Sequence, residues 1–170
     1  LSTKLAIGSG AGVYEVSPQK DVTNFLGPAF QAQLREAKED YKDLMTSRIP
    51  VTKGALDKRF LQAIKDIAKP YASLDKAVKA QVALGRSKED IIRAMMGKNI
   101  EKSVAQMLYE GKATPALIVY DNMLDTAKAE IKQLDNRPKE RQAAEDRWQK
   151  KLSAIEEIAT KYSKYSFEEI

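Results

Sequence analysis

Apolar residues recur every three or four positions along most of this chain, and this spacing constrains the fold more than any other feature of the sequence. Residues spaced in this way share one face of an α-helix. No segment sustains the alternation of apolar and polar residues that is typical of a core strand. Short breaks at proline or glycine separate the periodic segments, so neighbouring helices should run antiparallel. The sequence predicts an all-α protein, an up-and-down four-helix bundle with short extra helices.

Four long periodic segments supply the predicted bundle helices. The first follows Gly27-Pro28, and the second crosses Pro70 without losing phase, which predicts a kink or a tight break between coaxial pieces. Thr114-Pro115 is a strong start signal for the third. The predicted core stripes are Phe30, Leu34, Ala37, Tyr41 and Leu44; Leu56, Phe60, Ile64, Ile67, Tyr71, Leu74, Val78 and Val82; Leu117, Tyr120, Leu124, Ala127, Ile131 and Leu134; and Ala144, Trp148, Leu152, Ile155, Ile158, Tyr162 and Tyr165.

A shorter helical region is predicted between the second and third long segments. Ser87, followed by acidic Glu89 and Asp90, has the features of a helix N-cap. Apolar periodicity continues on both sides of Gly97 until Gly111. We therefore expect one helix that is interrupted at Gly97.

Residues 1–27 differ from the rest of the chain, because they contain four glycines, few charges and no sustained helical period. They are predicted to form an extended N-terminal arm, and residues 28–170 to form the helical bundle domain. The first residue is Leu1 rather than Met, which fits a processed product that is exported or imported into an organelle.

The chain contains no Cys and no His, and this composition excludes many kinds of active site. Thiol nucleophiles, thiolate or imidazole metal sites, Ser-His-Asp triads and histidine bases all require one of these residues. Adjacent acidic residues such as Glu145-Asp146 lie next to Lys or Arg on predicted solvent faces. The sequence therefore predicts a protein that is not an enzyme and holds no cofactor or metal. No apolar run approaches the length of a transmembrane segment.

Positive charge is concentrated in the middle of the chain. Of 29 Lys and Arg and 24 Asp and Glu, the stretch from Lys53 to Lys102 holds 12 and 6, a local net charge of +6. Such a surface attracts anionic partners and raises the rate of encounter with them. An acidic protein surface is the predicted partner, although the same lysines would also serve simply to keep a helix soluble. The candidate binding residues are Lys58, Arg59, Lys65, Lys69, Lys76 and Lys79.

Nucleic acid and membrane surfaces are competing partners for this basic region. Nucleic acid is disfavoured because the charge excess is modest and no recognised DNA- or RNA-binding motif is present. A membrane-surface helix is disfavoured because each apolar stripe is narrow enough to be buried in the bundle.

The aromatic residues near the C-terminus have two interpretations. Tyr162, Tyr165 and Phe167 either close one end of the core or form a docking patch, since tyrosine is favoured at the centre of interfaces. They are included among the candidate partner-binding residues.

The last predicted helix contains Ala144-Glu145-Asp146-Arg147-Trp148, followed by an aliphatic stripe at Leu152, Ile155 and Ile158. This helix, at the end of a basic bundle that follows an arm, resembles the last helix of the Q-type extrinsic proteins of photosystem II, including those of red-lineage algae. The resemblance implies a peripheral protein of the thylakoid lumen that docks on the lumenal subunits of photosystem II. It also implies that the protein helps retain the inorganic ions of the oxygen-evolving centre without binding them.

Taken together, these features predict a non-enzymatic accessory subunit that docks on a larger assembly through its basic face and its arm. Two other classes of protein remain open. One is a basic nucleic-acid-binding or packaging protein, and the other is an exported or periplasmic helical component of a secretion or phage apparatus.

Overall fold

A computed structural model describes residues 26–170. Six α-helices occupy this range, with no strand among the described residues, and the all-α prediction is confirmed. The helices are α1 (Pro28–Asp40), α2 (Lys53–Ala83), α3 (Lys88–Met96), α4 (Lys102–Glu110), α5 (Pro115–Gln133) and α6 (Pro138–Tyr162), and a 3-10 helix (Lys42–Met45) follows α1. The predicted arm lies almost entirely outside the described residues.

The helix starts follow the local signals in the sequence. The side-chain oxygens of Thr52, Ser87 and Thr114 accept hydrogen bonds from backbone N–H groups three residues later, which completes the first turns of α2, α3 and α5. Helices α1, α5 and α6 each begin with a proline. The predicted starts at Ser87 and at Thr114-Pro115 are therefore confirmed.

Helix α2 is the central element of the fold. It has 31 residues, a length of about 46 Å at the usual helical rise, and it packs against α1, α4, α5 and α6. Pro70 lies inside it and removes one backbone hydrogen bond, but the helix does not end there. Of the two predicted alternatives, the tight break is absent, because packing on several sides compensates for one lost bond, and the kink stays a prediction. The up-and-down four-helix arrangement stays a prediction.

Ion pairs fix the direction of α6 relative to α2. Lys53 Nζ lies 2.8 Å from Glu157 Oε2, and Lys161 Nζ lies 2.7 Å from Asp57 Oδ2. From the first pair to the second, the position moves four residues forward along α2 and four residues forward along α6. The two helices therefore run parallel where they meet. The N-terminal part of α6 continues beyond the start of α2, where Arg147 contacts the loop at Ser47.

Most of the predicted core stripes are buried. All five stripe residues at α1 and the following turn are buried, as are those of α2 from Leu56 to Val78. Val82 is an exception, since its side chain is 41% exposed, whereas the neighbouring Gln81 is buried. In α6 the residues Ala144, Trp148, Ile155 and Ile158 are buried.

The predicted core stripe of α5 is only partly correct, because Ala127 is buried but most of its other members lie at the edge of the core. Its members Leu117, Tyr120 and Leu124 are only half-buried, whereas Val119 and Met123 are fully buried. Helix α5 is apolar on two adjacent stripes, so its periodicity predicts a helix but not which stripe faces α2. The structure buries the stripe that contains Ala116, Val119, Met123 and Ala127, and the other stripe lies at the edge of the core.

The predicted single helix around Gly97 is also wrong. Helix α3 ends at Met96, and a turn leads to the separate helix α4, which packs against α3. Asn99 adopts the left-handed conformation with φ 67°, and the Ile100 N–H donates to the Met95 carbonyl at 3.2 Å. Asn tolerates this conformation, and a buried Ile100 holds the turn against the core.

Candidate partner-binding surface

Four lysines form a straight row on the solvent face of α2. Lys58, Lys65, Lys69 and Lys76 are separated by seven, four and seven residues, spacings that bring side chains back to the same side of a helix. All four are exposed, on the side opposite the buried stripe. This lysine row is about 27 Å long from first to last Cα at the helical rise.

The other two predicted basic residues are already paired within the chain. The Arg59 guanidinium contacts the Asp43 carboxylate, and Lys79 Nζ lies 3.0 Å from Asp75 Oδ2, one turn earlier in α2. For the lysine row, by contrast, no carboxylate of residues 26–170 lies within ion-pair distance. The structure therefore separates the six predicted basic residues into four available charges and two paired ones.

An acidic cleft borders the lysine row on the side of α1. Its cavity volume is about 260 Å³, and its lining includes Glu36, Asp40, Asp66 and Lys69. The row is thus a narrow band of positive charge beside negative charge, rather than one edge of a broad basic face. Such a band fits a partner whose acidic groups are themselves arranged along a line.

The aromatic residues near the C-terminus contact Asp57 and Phe60 of α2 rather than the lysines of the row. The Tyr162 hydroxyl donates to Asp57 Oδ1 at 2.5 Å, and its ring stacks on Phe60 with centroids 6.4 Å apart. Tyr165 is half-buried beside Tyr162, and Phe167 is buried in the core. These contacts attach the end of the chain to the start of α2. A role for these three residues in partner binding stays a prediction.

Asp57 is the centre of that C-terminal contact. Burial raises the pKa of its carboxyl, but hydrogen bonds from Lys161 and Tyr162 outweigh burial and hold the pKa below its usual value. The hydrogen bond to Asp57 raises the pKa of Tyr162, as does burial. Asp57 therefore stays ionised and Tyr162 neutral at physiological pH, which suits a structural contact.

A buried polar cluster lies where α1, α2, α4 and α5 meet. Asn122 Nδ2 donates to the Tyr41 hydroxyl at 3.2 Å, and burial raises the pKa of Tyr41 to about 12 against the smaller lowering by this hydrogen bond. Burial also raises the pKa of Tyr71, whose hydroxyl has no hydrogen-bond partner among residues 26–170. Neither tyrosine hydroxyl therefore ionises near neutral pH, which suits a structural contact.

Replacing Tyr71 with phenylalanine should leave stability unchanged or raise it by up to about 1 kcal/mol, because a buried hydroxyl without a partner costs free energy. The matched control is Tyr41→Phe, which removes a hydroxyl that accepts a hydrogen bond and should cost about 1 kcal/mol. Urea unfolding followed by circular dichroism measures both changes. A Tyr71→Phe variant that is destabilised as much as Tyr41→Phe would show that the Tyr71 hydroxyl is bonded.

Sequence reasoning missed an apolar groove on the outer side of α5 and α6. We call it the outer groove; its cavity volume is about 380 Å³, and its lining includes Tyr120, Leu124, Ala127, Ile131, Trp148 and Leu152. Several of these residues belong to the stripe that the sequence placed in the core. The sequence feature that could have revealed the groove is the width of the apolar surface of α5, which is greater than a contact with α2 alone can cover.

The described part of the chain holds no cluster of three or more acidic side chains that could bind a metal ion. None of the helices within residues 26–170 is long and apolar enough to cross a membrane. No protein-family model, curated protein or solved structure matches the chain.

Proposed function

We propose that this protein is a non-enzymatic accessory subunit that docks on the acidic surface of a larger protein assembly. The observation that supports this function best is the lysine row, in which four exposed ammonium groups lie in line with no carboxylate of the described chain within ion-pair distance. Charges arranged in this way speed association and fix the orientation of the bound partner. Arg59 and Lys79 are less available, because each would first have to give up a carboxylate.

An acidic protein suits the lysine row better than a nucleic acid. The cleft lined by Glu36, Asp40 and Asp66 would repel the phosphates of a wide polyanion lying across α2. A narrow acidic partner, such as a helix with aspartate or glutamate along one face, would meet the lysines and avoid the cleft.

The resemblance of the last helix gives this proposal a specific form. In that form the four long helices α1, α2, α5 and α6 make an up-and-down bundle, and the partner is the lumenal side of photosystem II in the thylakoid. The arm and the residues Tyr162, Tyr165 and Phe167 would add contacts. Docking through the lysine row does not depend on this identification, and an exported assembly is the alternative setting.

The test is a charge-reversal variant with a matched control. The row variant changes Lys58, Lys65, Lys69 and Lys76 to Glu, and the control changes the exposed residues Lys98, Lys132, Lys139 and Lys150 to Glu, so that both have the same net charge. Each tagged protein is added to an extract of its native source, and the bound assembly is identified after native separation. The row variant should bind at least about 10-fold more weakly at low salt, and the control less than about 3-fold.

Three results would contradict the proposal. They are the absence of any larger assembly bound to the wild-type protein, equal losses in the row variant and the control, and salt-dependent retention on DNA that the row variant abolishes. The last result would favour the nucleic-acid-binding class. Recovery of photosystem II subunits would support the specific form of the proposal, and recovery of a different assembly would contradict that form alone.

A further inference from the structure

The outer groove is a second surface whose chemistry differs from that of the lysine row. Its floor is the outer apolar stripe of α5, which lies at the edge of the core and leaves Tyr120, Leu124 and Ile131 half-buried. Trp148 and Leu152 of α6 complete the apolar lining. A groove between two antiparallel helices is the usual receptor for a third helix that buries one apolar face.

The dimensions of the groove floor match a short helix. Tyr120 and Ile131, the first and last residues of this floor, lie eleven positions apart on α5, which corresponds to about 16 Å, or three helical turns. A partner helix with apolar residues at positions i, i+3, i+4 and i+7 would cover this length.

The two edges of the groove differ in charge. The α6 edge carries Glu145 and Glu156, whereas Lys128 lies on the α5 edge. Glu145 forms a long ion pair, with its Oε2 4.0 Å from Arg141 Nε. Glu156 has no basic partner within ion-pair distance among residues 26–170. The edge of the groove formed by α6 is therefore acidic, and Glu156 is available to pair with a cation.

We propose that the outer groove binds an amphipathic helix of a partner protein, with its apolar face on α5 and a row of Lys or Arg along α6. The acidic edge selects this occupant over a neutral or acidic helix. It also disfavours a second copy of this chain, because a copy that presents the same groove would bring further carboxylates toward Glu145 and Glu156. This docking site is separate from the lysine row, and it takes a partner of opposite charge.

The test uses two designed 18-residue helical peptides without aromatic residues. Both carry leucine on one face, and the flanking positions are lysine in one peptide and glutamate in the other. Trp148 is the only tryptophan of the chain and lines the groove, so its fluorescence in the full-length protein reports binding. The lysine peptide should bind at least about 10-fold more tightly than the glutamate peptide, despite the positive net charge of the protein.

Two variants and a control locate the binding site. Leu124→Arg blocks the floor of the groove and should lower the affinity for the lysine peptide at least about 10-fold. Gln133→Arg, at an exposed position of α5, should change this affinity less than about 2-fold. Glu156→Lys changes only an exposed edge residue and should abolish the preference for the lysine peptide, so the test does not depend on the folding of Leu124→Arg. Circular dichroism checks that each variant is folded.

Several outcomes would overturn the proposal. Failure of both peptides to bind, equal affinity for the two, or binding that survives both Leu124→Arg and Glu156→Lys would each do so. A wild-type dimer that Leu124→Arg dissociates, measured by sedimentation, would instead make a second copy the occupant of the groove.

Discussion

The wild-type protein should be more stable than a Lys151→Met variant by about 2 kcal/mol at pH 7 and by about 4 kcal/mol at pH 10. Lys151 is 1% exposed, and its Nζ donates to the carbonyl oxygens of Asp43 at 3.1 Å and Thr46 at 2.9 Å. One carbonyl lies in the 3-10 helix and the other belongs to the residue that follows it. Methionine fills a similar volume but removes the Lys151 donor from both oxygens, and within residues 26–170 only that of Asp43 still accepts from another group, the Thr46 hydroxyl at 3.1 Å.

The dependence on pH follows from the buried charge. Burial lowers the pKa of Lys151 to about 8, against a smaller opposing effect of Asp43. Between that value and the ordinary lysine pKa of about 10.5, the unfolded chain binds more protons than the folded one, so stability rises with pH in this window. The charge costs free energy at pH 7, and this cost declines towards pH 10, whereas the neutral amine still donates to both carbonyls.

Urea unfolding of both proteins at pH 7, 8, 9 and 10, followed by circular dichroism, measures this difference. Lys150→Met is the matched control, because Lys150 is the exposed neighbour on the same helix and its replacement should change stability by less than about 0.5 kcal/mol. A difference for Lys151→Met that stays constant across the series would mean that the ammonium group is not desolvated in the folded protein.

Replacing Trp148 with alanine should lower the free energy of unfolding by about 3 to 5 kcal/mol. Trp148 is 1% exposed, and its indole N–H donates to Glu130 Oε1 at 3.0 Å, which joins α5 to α6. Alanine removes both the packed ring and this hydrogen bond. The cavity left behind lies under the outer groove, so most of the lost free energy comes from the contact between α5 and α6.

Trp148→Phe separates the two contributions. Phenylalanine keeps an aromatic ring but cannot donate to Glu130, so this variant should lose about 1 to 2 kcal/mol. Circular dichroism is the appropriate signal, since both variants lack tryptophan fluorescence. A loss below 1 kcal/mol for the alanine variant would contradict the packing described for α5 and α6. Because Lys151 Nζ lies 6.0 Å from the ring centre, the effects of Trp148→Ala and Lys151→Met should not be additive.

Much of the candidate site was predictable because it depends on local geometry. The order of Lys58, Lys65, Lys69 and Lys76 along one helix face follows from helical periodicity alone, once the helix is known to continue through Pro70. Which basic residues are available was not predictable. Asp43, the partner of Arg59, lies before the start of α2, and only the folded chain brings the two together.

The outer groove depended still more on the packing of helices. The sequence predicts that its residues are helical and belong to the core, because a sequence pattern gives the width of an apolar surface and not what covers it. Helix α5 packs against both α2 and α6, and these neighbours do not cover its two apolar stripes equally. The structure buries the stripe of Ala116 and Val119 against α2 and leaves Leu124 in the groove.

The amino-acid sequence by itself determined the helices, their caps and the faces of α1, α2 and α6 that are buried, since helical period and first-turn hydrogen bonds involve residues only a few positions apart. Tertiary structure alone decided the turn at Asn99, the orientation of α5 and the burial of Lys151. Each of these depends on which distant surface is nearest, and a lysine is indistinguishable from its exposed neighbours until two carbonyls more than a hundred residues away accept hydrogen bonds from it.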